Sequence, residues 1–267
     1  MKLLGAHTFG TVWTHDAAGA IAAFSELGFR DFQLMAMAPH LDPWTWQAAL
    51  PPLQRALDAC GARVIAVDLP SSDINIASST PAAVEFAMAT YEQAMSLAHA
   101  VNAKWLTINS GRKHMLLPPP DERPLQVYSQ ALERLVHRAG ELGMRILIEN
   151  IPGCLLDTAA ALAQFLDRHD FGNVDVLYDV ANAAAIGEDP VDGLALLAKR
   201  VAVVHLSDAG KGKWQHALIG SGDIDFEAIR RQLADMQFAG DVVLEIISAR
   251  PIEDLRASLE RLRAQGW

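Results

Sequence analysis

The sequence predicts an α/β chain folded as one (β/α)8 barrel domain over residues 1–267. Three observations predict it. Eight short runs rich in Val, Ile and Leu recur along the chain, separated by amphipathic segments. The runs are mostly apolar throughout rather than alternating, as in parallel strands buried on both faces. No three-glycine dinucleotide fingerprint follows the first run, "LLGAHTFGTVW", which disfavours an open doubly wound sheet. Eight strand–helix units in about 250 residues fit a closed barrel.

The expected strands are 2–7 (KLLGAH), 31–36 (DFQLMA), 63–69 (RVIAVDL), 105–109 (WLTIN), 145–150 (RILIEN), 174–179 (VDVLYD), 202–207 (AVVHLS) and 242–246 (VVLEI). Helices fill the intervals and announce their ends. Asp16 precedes "AAGAIAAFSELGF", with Gly28 as its stop. Thr80-Pro81 opens a long helix, an N-cap followed by proline at the first helical position. Asp157 is expected to cap "TAAALAQFLDRH", Asp189-Pro190 starts another helix, and Asp225 starts "FEAIRRQLADM". "ELGF", "ACGA" and "ELGM" each place a glycine at the left-handed position between a helix and the next strand. The strongest loop signal, "LLPPPDERP" (116–124), falls after the fourth strand, and no linker divides the chain.

Lys plus Arg number 22 and Asp plus Glu 32, a net charge of −10. Backbone binding to nucleic acid draws on Lys and Arg, so a nucleic-acid partner is not expected. Cys60 and Cys154 suggest no disulfide framework and a reducing compartment. Neither a signal-peptide core nor an apolar stretch of membrane length stands out, so a cytoplasmic protein without a membrane partner is expected. Trp267 is expected to end the domain. The oligomeric state is open, a homo-oligomer included.

In such a barrel the C-terminal strand ends form the active face. The polar residues there are His7, Gln33, Asp68, Asn109, Glu149-Asn150, Asp179, His205 with Asp208 beyond it, and Glu245. A lone carboxylate at a strand end usually caps a helix or pairs with a cation. Glu149, Asp179, His205 and Glu245 stand on four consecutive strands, and three converging carboxylates would repel one another and be costly to desolvate. One divalent cation relieves both costs. Three carboxylates and an imidazole suit Mn²⁺, Mg²⁺, Co²⁺ or Zn²⁺.

"LIENIPG", "LYDVANA", "VVHLSDAG…HALIGSGDIDF" and "VVLEI", in this order, resemble the xylose-isomerase-like TIM-barrel superfamily of sugar isomerases and epimerases. The resemblance covers essentially the whole chain. It implies that Glu149, Asp179, His205 and Glu245 bind one divalent metal, and that "GSGDIDF" (220–226) is the family's turn into the next helix. It further implies a small sugar, keto-sugar or sugar acid as substrate, phosphorylated or not. Glu149 and Glu245 would then act as catalytic acid and base on a metal-stabilised enediolate. A keto-inositol-type dehydratase using the same site is the alternative, and a non-catalytic sugar-binding barrel is the other class. The sequence departs from the family pattern in two places. Asn182 stands where many members carry His, and Leu155 stands where ketose 3-epimerases carry a second Glu. Most of the extra His ligands of the DNA-repair branch are absent.

His7, Asn109, Asn182, His216 and Lys211 are the expected substrate contacts around the mouth, with Lys213, Arg112 and Lys113 as further cations for a substrate anion. Trp13 is a candidate wall of the pocket. Asp208 is expected to orient His205 from behind, because a ligating imidazole needs a partner for its other nitrogen.

Overall fold

The computed structural model describes residues 4–114, 116–119, 122–169 and 171–267. Eight parallel strands close into a barrel in chain order. They are β1 (Gly5–His7), β2 (Asp31–Met35), β3 (Arg63–Asp68), β4 (Trp105–Asn109), β5 (Arg145–Glu149), β6 (Val174–Asp179), β7 (Val201–Leu206) and β8 (Asp241–Leu244). β1 seals the ring against β8, with Gly5 opposite Val243 and Ala6 opposite Leu244. Each expected run overlaps a strand, though β7 and β8 each begin one residue earlier and β8 ends at Leu244, before Glu245. Lys2 and Leu3 of the first run, and Pro120 and Asp121 of the proline-rich loop, lie outside the described residues.

The helices are α1 (Ala17–Glu26), α2 (Trp46–Cys60), α3 (Pro81–Ala100), α4 (Arg123–Glu141), α5 (Ala159–Arg168), α6 (Val180–Ala185), α7 (Pro190–Leu196), α8 (Phe226–Asp235) and α9 (Pro251–Ala264). Asp16, Asp189 and Asp225 cap α1, α7 and α8 by accepting backbone N–H bonds from Gly19, Val191 and Ala228. The cap of α5 is Thr158, which accepts from Ala161 N at 3.0 Å, and not Asp157. Asp157 instead pairs with Lys113 at 2.8 Å. Among the described residues, no helix is long and apolar enough to cross a membrane.

The strands are buried on both faces, which hides an alternation inside the ring. Outward residues such as Leu34, Ile146, Val176 and Val204 pack on the helices in one large core. Inward residues repeat every second position and form tiers. At the N-terminal end, Arg63 bridges Asp31 and Asp241, while Arg145 and the Trp105 indole both donate to Asp175. Ile65, Ala66, Trp105, Leu147, Leu177, Val203 and Val243 form the apolar tier above. Truncating Leu147 or Leu177 to Ala there would cost about 2–5 kcal/mol. Two residues further along each strand, the third tier is polar.

Candidate metal centre and active site

Strand periodicity builds this third tier. Glu149 lies two positions beyond Leu147, Asp179 two beyond Leu177, His205 two beyond Val203 and Glu245 two beyond Val243. All four are buried. Each offers one ligand atom, and these atoms lie within 4.8 Å of one another. Bonds of about 2.0–2.4 Å to a common ion would set ligand atoms at comparable separations.

Each side chain is held from behind. Asp179 Oδ1 accepts from the Asn182 backbone N–H at 2.7 Å and so caps α6. Its Oδ2 is buried without a hydrogen-bond partner. The Asn150 amide grips the Asp179 backbone through both its N–H and its carbonyl. His205 Nε2–H donates to Gln33 Oε1 at 2.9 Å, which turns Nδ1 toward Glu245 Oε2 at 3.3 Å and Asp179 Oδ2 at 3.6 Å. Gln33 Nε2 in turn donates to Asp68 Oδ2 at 2.7 Å. Gln33, not Asp208, is therefore the partner of His205. The Asp208 carboxylate accepts from the backbone N–H groups of Ala209, Gly220, Gly222 and Ile224 and ties down the β7–α8 loop. This explains the "GSGDID" turn. A Cβ on Gly222 would come 2.5 Å from Asp208 Oδ1.

The same loop folds back through backbone bonds between Asp208 and Ala217. That brings His216 into the cluster, its Nδ1 at 3.1 Å from Glu245 Oε2 and 3.6 Å from Asp179 Oδ2. His216 thus stands closer to the carboxylates than a contact at the rim would require.

Electrostatics divides the two glutamates. Burial pushes the Glu149 carboxyl well above the usual range, helped by Glu245 and Asp179 and opposed by His205. Burial also pushes Glu245 up, but His216, His205 and His7 outweigh it and hold Glu245 well below that range. Burial lowers both site imidazoles, yet Glu245 and Asp179 raise His205 well above its ordinary value and His216 to about 9. The donor set fits a divalent cation. Asp179 Oδ2 is buried with no hydrogen-bond partner among the described residues, and three clustered carboxylates with an imidazole match a hard or borderline ion.

Above the cluster lies a cavity of about 220 Å³ bordered by Asp68, Asn109, Glu149, Asn182, Trp214, His216 and Glu245, among others. Asn182 Nδ2 donates to Glu149 Oε1 at 3.1 Å, and the Trp214 indole donates to Asn182 Oδ1 at 2.8 Å. The Arg112 guanidinium sits 5.5 Å from the Trp214 ring and closes the rim. Asn109 borders the cavity, but its amide is engaged by Ile74, Tyr91 and Gly111. His7 is buried behind it, with Nδ1 accepting from Phe9 N and Nε2–H donating to Asp68 at 2.7 Å. Lys211 lines a different cavity, between α7 and α8, and does not reach the mouth. Trp13 is 76% exposed and does not border this cavity, whereas Trp214 does. The sequence alone assigns no role to Gln33 or Trp214. A polar residue inside an apolar run was the available signal for Gln33.

A family model described as the xylose isomerase-like TIM barrel matches residues 21–265. Inosose dehydratase of Geobacillus kaustophilus is 24% identical over 207 residues, 67% of each chain. Inosose dehydratase of Clostridium perfringens is 27% identical over 142 residues, and the match spans about half of both chains, 47% of this one and 48% of that one. The crystal structure of a D-tagatose 3-epimerase-like protein superposes with a TM-score of 0.83 over 100% of both chains at 20% identity, a likeness of fold.

Proposed function

The chain belongs to the xylose isomerase-like TIM barrel family, and we propose that it is a divalent-metal-dependent isomerase or epimerase of a small polyhydroxylated carbonyl compound. One observation carries the reading. Two buried glutamates, at the end of β5 and just past β8, face one ligand cluster and border the cavity above it. Such a pair is what proton transfer at carbon needs. A bound cation would draw charge from the substrate's carbonyl and hydroxyl oxygens and so acidify the neighbouring C–H. One glutamate would take the proton from carbon and the other would deliver one, and delivery to the opposite face inverts the centre. Asn182 holds Glu149 Oε1 and fixes that carboxylate's orientation. Trp214 and Arg112 cover the rim and limit water.

A second reading is favoured by the inosose dehydratases among the relatives. In it, one glutamate takes the same proton and the other protonates a departing β-hydroxyl, so that one water leaves and a carbon–carbon double bond remains. The test is a keto-sugar, keto-inositol and sugar-acid panel in D₂O with added Mn²⁺, read by NMR and mass. Deuterium at carbon without loss of mass supports epimerisation or isomerisation, and a product lighter by one water supports dehydration. Glu149→Gln and Glu245→Gln should each lose about two to four decades of turnover at saturating metal. In an epimerase each variant should still wash deuterium into the one epimer that faces the remaining glutamate. Near-normal turnover in both variants would sink the assignment.

A further inference from the structure

One buried carboxylate beside the mouth cavity has no part in the acid–base pair. Asp68 ends β3, and its side chain is 7% exposed. Oδ2 is clamped by two donors at 2.7 Å, His7 Nε2–H and Gln33 Nε2–H. Both donors are themselves fixed, His7 by the Phe9 N–H and Gln33 by His205. Oδ1 is buried and has no hydrogen-bond partner among the described residues. A buried carboxylate oxygen left unpaired is costly, and the clamp on Oδ2 prevents the group from turning away to relieve it. Asp68 borders the same cavity as Glu149 and Glu245.

We infer that Asp68 is a specificity-determining residue that accepts a hydrogen bond from a substrate hydroxyl. The inference rests on the reading that the mouth receives a polyhydroxylated compound. An unpaired acceptor beside two further carboxylates selects a donor and rejects anything that can only accept, so carboxylate or phosphate groups of a substrate are turned away from this wall. Arg112 is the only guanidinium among the described residues bordering the cavity and is where an anionic substituent would point. A deoxy compound would leave the Asp68 oxygen unpaired. Sites built around a substrate hydroxyl discriminate strongly against the analogue that lacks it.

Asp68 could instead matter only through Gln33 and His205, and the experiment separates the two roles. Calorimetry on the Mn²⁺-loaded protein would compare unreactive inositols and pentitols with their monodeoxy counterparts. The wild type should bind at least one polyol roughly 10- to 100-fold more tightly than one of its deoxy forms, the scale of a hydrogen bond to a charged group. Asp68→Asn should shrink that ratio to within about threefold, and Asp68→Ser serves equally should the asparagine variant not fold. Gln33→Leu leaves the His7 bond to Asp68 Oδ2 in place; it should bind Mn²⁺ about 10- to 100-fold more weakly and, once the ion is saturating, keep the deoxy discrimination. Unchanged discrimination in the Asp68 variants, or its loss in Gln33→Leu, would overturn the inference, as would failure of every polyol to bind the wild type. Polyol binding without deuterium exchange would count against the proposed reaction while leaving Asp68 tested on its own terms.

Discussion

The indole N–H of Trp214 donates to Oδ1 of Asn182 at 2.8 Å, joining a half-exposed loop residue to a buried amide. That bond decides which end of the amide faces Glu149. With Oδ1 engaged, Nδ2 must point at the glutamate, where it donates at 3.1 Å.

Trp214→Phe keeps a ring beside Arg112 and removes the donor. The Asn182 amide then loses its bias, and about 1 kcal/mol of ordering at Glu149 goes with it. Deuterium wash-in is expected to slow roughly five- to tenfold with metal content unchanged. A rate within twofold of wild type would show that the indole only walls the cavity.

Asp179 separates metal binding from folding in a single position. Asp179→Asn retains a side-chain oxygen for the Asn182 N–H and is an equally good cap. Asp179→Ala removes the cap as well, at a cost of about 0.5–2 kcal/mol. Elemental analysis should find both variants depleted of metal, and melting curves recorded in chelator should show only the alanine variant destabilised. Equal melting temperatures for the two would mean that the cap contributes nothing.

His40 makes the fold acid-sensitive away from the active site. Burial lowers its pKa from 6.5, against a lift from the bond to the His15 carbonyl. The neutral ring fits its surroundings, because Nδ1–H donates to that carbonyl at 2.6 Å and Nε2 accepts from Thr8 Oγ1 at 3.0 Å. The unfolded chain therefore takes up a proton at a pH where the folded chain does not. This contribution to stability is complete above 6.5 and is lost as pH falls below 6.5, until the folded ring titrates too. Urea unfolding between about pH 7.5 and 5 should show a shallower acid loss in His40→Gln than in wild type. Parallel curves would remove His40 from the account.

The two thiols should differ in reactivity. Burial pushes the Cys154 thiol up to about 12, against Arg112 beside it, so almost no thiolate forms near neutrality. Cys60 is only half-buried, at the end of α2. A disulfide reagent should titrate Cys60 first and Cys154 only on unfolding. Rapid labelling of Cys154 in the native protein would show that its pocket opens.

The strands are legible in the sequence because doubly buried strands leave unbroken apolar runs, and Glu149 and Glu245 stand out as charges interrupting them. The order of four liganding types on four strands is likewise visible once a barrel is assumed. The back side of the site is not. His205 and Gln33 are 172 positions apart and meet only because the ring closes. Asp208 sits three residues from His205 in sequence, but its carboxylate is drawn into a loop of backbone donors. Asp157 and Thr158 are both good caps, and only the position of the first helical turn chooses between them. Lys211 reads as a mouth cation because loop length does not reveal which way a loop folds.

The dual use of Asp179 affects how related sequences should be read. One of its oxygens serves a helix and the other points into the ligand cluster. A descendant that had abandoned catalysis would still be selected to retain a side-chain acceptor at this position. Retention of Asp179 alone is thus weak testimony that chemistry survives. Glu149, whose elevated pKa reflects a carboxyl buried at some cost, has no comparable structural duty among the described contacts. Its replacement by an apolar residue would be the earliest sign of a barrel that has become a binder.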